Sequence, residues 1–150
     1  MKKIYLIIAI MSLFIGCNSD VVTTKELKGI KNKCVYVSAI ESQDPYVGKV
    51  LKDVLEKEFI RKRVVLCDAE NCNIVLTGST FLTTRSHGET SMLNLFGGKQ
   101  DSAQAIESVT ITGKDKSGNI LLTASYNNAD QQTASKLAQD FGSTLADKLR

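Results

Sequence analysis

Histidine occurs once in this chain, at His87, and no Cys-x-x-Cys pair occurs. That argues against a zinc site, which needs a convergent set of Cys and His ligands. His87 stands beside Ser86 in a Gly/Ser-rich stretch and reads as a solvated loop residue, not a general base. The segment Phe96-Gly97-Gly98-Lys99 lacks the spacing of a phosphate loop, because Gln100 follows and no glycine stands five places before Gly98. Asp68 and Glu70 lack the spacing of a calcium loop. No apolar run reaches the roughly 20 residues of a spanning helix. A large charge imbalance is also missing, with 19 Lys and Arg against 16 Asp and Glu. That balance offers no electrostatic footprint for nucleic acid. The one basic run, Arg61-Lys62-Arg63, falls at an expected helix end, where cations complement the dipole; contact with anionic lipid is its other reading.

What is present begins at the amino terminus. Lys2 and Lys3 precede an apolar stretch of about a dozen residues, Ile4 to Ile15, followed by Gly16 and Cys17. This has the form of an export leader over residues 1–16, cleaved between Gly16 and Cys17. Phe14-Ile15-Gly16-Cys17 resembles the lipobox of bacterial lipoproteins, with Phe14 where Leu is usual. The resemblance implies a diacylglyceryl thioether on Cys17 and an acylated amine, palmitate-type chains that anchor stably when two or three are present. Asn18 in place of Asp after the cysteine points to the outer membrane. Loss of Lys2 and Lys3 leaves a mature chain with an excess of one basic residue.

Export implies an oxidising compartment for Cys34, Cys67 and Cys72. Cys67 and Cys72 are spaced to close a small loop across Asp68-Ala69-Glu70-Asn71, leaving Cys34 as a small buried hydrophobe. Pairing of Cys34 with Cys67 or with Cys72 stays open.

Residues 17–32 read as the lipidated cysteine and a polar tether, spanning at most about 55–60 Å from Cys17 to Cys34 if extended. Val21, Val22, Leu27 and Ile30 are available to pack on the domain instead. Residues 33–150 read as a single domain. Cys34–Ile40 is expected as a strand, and Asp44-Pro45 as a helix cap and first turn. Val47, Val50, Leu51, Val54, Leu55 and Phe59 keep a helical period. Asp53, Glu56 and Glu58, interleaved with Lys49, Lys52 and Lys57, read as its solvated, ion-paired face. Strands are expected at 64–67, 74–83, 105–115 and 120–126, with a turn at Lys116–Asn119. The tail carries Ala134, Leu137, Ala138, Phe141, Leu145 and Leu149 on one helical face, with Gly142 suited to close approach to the sheet. The fold class is α+β: a mixed four- to five-stranded sheet with two amphipathic helices on one face, in the order β-α-β-β-β-β-α. Residues 84–104 form a long loop insert whose apolar residues Met92, Leu93, Leu95 and Phe96 either dock on a partner or lipid or fold back on the sheet.

That order resembles a group of bacterial envelope proteins that includes CsgG, LpoB and the amino-terminal domain of TolB. The matching pieces are Cys34–Ile40, Val47–Phe59, Val64–Leu66, Ile74-Val75-Leu76-Thr77-Gly78, Asp115–Leu122 and Ala134–Leu149. Cys72-Asn73 stands where the group has Ala-Asp. LptE is a competing likeness. The resemblance implies a lipid-anchored, periplasm-facing accessory protein of an envelope assembly or transport machine, at the outer membrane, with an envelope protein as partner. A subunit of an oligomeric channel or ring, and a lipopolysaccharide-assembly lipoprotein, are the alternatives. No enzymatic activity, metal or cofactor is expected beyond the acyl chains on Cys17, and homo-oligomerisation stays open.

Overall fold

A computed structural model of the protein describes residues 19–85, 103–128 and 132–150. Along them run β1 (Ser19–Thr23), α1 (Lys25–Gly29), β2 (Cys34–Glu41), α2 (Pro45–Arg61), β3 (Val65–Leu66), β4 (Ile74–Arg85), β5 (Ala103–Lys114), β6 (Ile120–Asn127) and α3 (Ala134–Leu149). The strands form one sheet in the order β1-β6-β5-β4-β2-β3. β2 is parallel to both β3 and β4, and the remaining pairings are antiparallel. The fold class is as expected, a mixed sheet with two long amphipathic helices, but with one strand more than the pattern suggested.

The extra strand corrects the tether. Ser19–Thr23 pairs with β6 from Ser19 opposite Tyr126 to Thr23 opposite Leu122. Thr24 then caps α1, accepting a bond from the Leu27 amide, and Leu27 is 1% exposed. Ile30 packs partly on the same core. Without these residues β6 would be a bare edge. The 84–104 insert is corrected too, because β4 and β5 stay paired out to Arg85 opposite Ala103.

Local chemistry explains both long helices. Asp44 accepts from the Tyr46 amide at 2.9 Å and Pro45 occupies the first turn of α2. Thr133 caps α3 through the Lys136 amide. The apolar stripes of α2 (Leu51, Leu55, Phe59) and α3 (Leu137, Phe141, Leu145, Leu149) are buried with Val35, Val37, Leu76, Val109, Ile111, Leu122 and Ala124 from the sheet. Truncating a ring such as Phe59 or Phe141 to Ala in such a core costs about 3–5 kcal/mol.

Two glycines set how closely these layers meet. A Cβ on Gly142 would stand 3.0 Å from Leu55 Cδ2 and 3.2 Å from Glu58 Cβ. Gly142 therefore admits α2, not the sheet as its position in the pattern suggested. A Cβ on Gly48 would run into the carbonyl oxygen of Ile40, where β2 turns into the helix.

The turn between β5 and β6 is held by Asp115. Its carboxylate accepts from the Asn119 carboxamide (2.9 Å), the Asn119 amide (2.9 Å) and the Ser117 amide (2.8 Å). The Asn119 bonds, side chain first and then backbone, hold the carboxyl below its ordinary pKa.

Two outcomes are expected. Gly→Ala inside a helix normally gains about 1 kcal/mol. Gly48→Ala should instead lose about 1–3 kcal/mol in urea unfolding, because a backbone oxygen cannot yield as a side chain can; a raised midpoint would contradict the packing described. For Asp115, a folded pKa below the unfolded one adds stability above the unfolded pKa, and that stability is lost as pH falls through the folded pKa. Asp115→Ala should lower the unfolding midpoint near neutrality, with the gap closing in strong acid. A gap independent of pH would count against the turn.

Candidate functional site

α2 and α3 cover one face of the sheet, no other described element covers the opposite face, and the alternation of each strand decides what that face shows. Val75, Thr77, Ser79 and Phe81 of β4 point there, with Ser108, Thr110 and Thr112 of β5, Thr123 and Ser125 of β6, and Asp20 and Val22 of β1. The surface is mainly hydroxyl groups, with Phe81 (54% exposed) and Val22 (61%) as its large apolar residues. Two shallow depressions mark it. One, of about 520 Å³, is lined by Asp20, Glu107, Ser108, Thr110, Ser125, Tyr126 and Asn127. The other, of about 180 Å³, lies between Glu41, Thr77, Ser79, Thr110 and Thr112.

Hydroxyls and scattered carboxylates of this kind donate and accept hydrogen bonds, which suits recognition of a polar partner. Asp20 and Glu107 stand with Ser108, Thr110 and Ser125 around the larger depression, and no histidine lies among the described residues. No group of three metal-binding side chains occurs among them either.

The cysteines depart from expectation. Cys34 is bonded to Cys67, with Cα atoms 5.8 Å apart, and not Cys67 to Cys72. The reason is the β2–β3 pairing: Cys34 lies opposite Val65 and Val35 opposite Leu66, and the Cys67 amide donates to the Val35 carbonyl at 3.0 Å. Residues 68–72 meanwhile close a turn, with the Asn71 and Cys72 amides donating to the Asp68 carbonyl. That turn buries Cys72, whose thiol donates to the Ala69 carbonyl at 3.2 Å.

Glu58 also departs. It is 4% exposed, not on the solvated face of α2, and Arg61 neutralises it at 2.6 Å. Lys52–Glu56, at 3.8 Å, does keep the expected surface pairing. Of the basic run, Arg61 serves Glu58, Lys62 reaches Asp147 of α3 at 3.3 Å, and Arg63 turns the chain at φ 62°.

Two asparagines escaped sequence reading. The Asn73 carboxamide accepts from the Cys34 amide (2.8 Å) and donates to the Asn32 carbonyl (3.2 Å), tying the starts of β2 and β4. Asn128, 4% exposed, donates to the Ile106 and Gln132 carbonyls and accepts from the Gln132 amide. The signal for Asn73 was its position just before the apolar strand; nothing local marked Asn128. Gly16, Cys17, His87 and the apolar residues Met92, Leu93, Leu95 and Phe96 lie outside the described residues.

The fold thus defines a class: a small α+β domain with a helix pair on one sheet face and, among the described residues, a hydroxyl-rich face that no element covers. No family model matches the chain, and no curated protein matches its sequence. Among solved structures it is similar to the PelC dodecamer from Paraburkholderia phytofirmans, with a TM-score of 0.55, 14% identity, and coverage of 88% of this chain and 98% of that one. A point variant of that dodecamer, in another crystal form, gives a TM-score of 0.54 at 18% identity, covering 87% and 96%. A PDZ domain protein from Parabacteroides distasonis gives 0.54 at 14% identity, and this chain, 85% of it covered, spans 34% of that one. At these identities the likeness is one of fold. These neighbours support the α+β architecture and do not single out the CsgG, LpoB and TolB group.

Peptide mapping without reductant should return Cys34 linked to Cys67, with Cys72 alkylated only after unfolding. Closing a loop over a separation of 33 residues makes loss of the bond through Cys34→Ser worth about 3–4 kcal/mol. A Cys67–Cys72 peptide would overturn the assignment.

Proposed function

We propose that the protein is an acylated lipoprotein, held through Cys17 at the periplasmic face of the outer membrane. It acts there without catalysis, as a docking factor for another envelope component. The observation that carries this reading is the sheet face that no described element covers: broad, shallow and hydroxyl-rich. Such a surface favours recognition by many weak polar contacts over the enclosed pocket of an enzyme. The cysteine that follows the leader is the residue that would carry the anchor.

A second reading is favoured by one specific observation. The PelC structures similar to this fold are dodecamers, and an open face with an edge strand at β1 suits repeated contact between copies. In that case the partner is the protein itself, as a subunit of a ring.

Intact-mass analysis of protein from native cells should show a chain beginning at Cys17 and carrying the mass of two or three acyl chains. A product without acyl mass, or with another first residue, would refute the anchor. Light scattering on the soluble domain separates the two readings, since a monomer favours the docking factor and a stable ring the subunit.

A further inference from the structure

Ser19 pairs with Tyr126, Tyr126 with Val109, and Val109 with Thr80, so these four residues make one row across the sheet. Most of the sheet ends at this row. β6 runs one residue further, to Asn127, and β2 stops at Glu41 opposite Ser79. Among the described residues only the β4–β5 pair continues, for the five residues from Phe81 to Arg85, which lies opposite Ala103. At about 3.3 Å per residue this two-stranded arm rises about 17 Å beyond the row that holds Ser19.

The anchor point leaves the domain at the same row. Cys17 is two residues before Ser19, so their Cα atoms stand at most about 7–8 Å apart. The arm therefore overshoots the acylated residue by about 10 Å on these dimensions. A cysteine carrying a diacylglyceryl group sits at headgroup level, and only Asn18 provides slack.

We propose that the β4–β5 arm enters the lipid headgroup layer beside the anchor, so that the molecule contacts its bilayer through both acyl chains and protein. The inference rests on acylation of Cys17. Phe81, 54% exposed at the base of the arm, stands only about 3 Å beyond the Ser19 row, so the contact falls to the residues from Thr83 to Arg85. The opposite end of the sheet then points away from the membrane. It carries Lys31, Lys33, Arg63 and Arg150, where the turn before β2 meets the carboxyl ends of α2 and α3. Those cations face the periplasm and not the headgroups, which removes the lipid-contact reading of Arg61-Lys62-Arg63.

The test uses the full acylated chain in vesicles of phosphatidylethanolamine and phosphatidylglycerol. A nitroxide is placed on the arm through Thr83→Cys, and separately in the far turn through Ser117→Cys. Arg85→Cys, at the last described pair of the arm, provides a second arm position should Thr83→Cys weaken the hairpin. The arm labels should collide several-fold more with oxygen than with a water-soluble nickel chelate, relative to the Ser117 label. Protein that floats with the vesicles while its arm labels are as open to nickel as the Ser117 label would overturn the arm contact alone. Protein that does not float would overturn the anchor, and this inference with it.

Discussion

One-sided burial governs this molecule. α2 and α3 lie against the same face of the sheet, so each strand must present apolar residues to the helices and tolerate water on its other side. In β5 the result is Val109 and Ile111 inward, with Ser108, Thr110 and Thr112 outward. Thr is well suited to that outer row, since its branched side chain favours the extended backbone while its hydroxyl remains solvated. The hydroxyl-rich face and the stability of the sheet are two sides of one alternation.

The sheet's two margins are secured by different means. On one side β1 pairs with β6 through five residues, and Leu27 follows it into the core. On the other, β3 is only two residues long, and the Cys34–Cys67 bond holds the chain that follows it to the start of β2. A two-residue strand contributes few ladder bonds, so a covalent link there offsets what hydrogen bonding cannot supply. Between the margins, Gly142 lets the helices meet and Glu58 is neutralised by Arg61 at that contact. A carboxylate buried without such a partner would cost several kcal/mol.

How much of this could be read from residue order varies from feature to feature. α2 was legible from Asp44-Pro45 and the repeat that ends at Phe59. α3 was legible from the spacing of Leu137, Phe141 and Leu145, and the β5–β6 turn from Asp115 to Asn119. β1 was not: Ser-Asp-Val-Val-Thr is five residues without a strong period, and what makes it a strand is the unpaired edge of β6, about a hundred residues away. The open face was half legible. The alternating Thr and Ser residues were visible, but which of the two faces the helices would cover was not.

Neighbouring residues alone set the helix caps, the apolar periods and, through them, the α+β class, and on neighbours too rests the reading of a leader cleaved before Cys17. Each of these depends on groups within one or two turns of one another. It took the folded chain to give Cys34 its partner in Cys67, to bury Glu58, and to raise the β4–β5 arm at the same end as Ser19. Those outcomes follow from which distant segments become neighbours, and that choice is made by the packing of the whole chain.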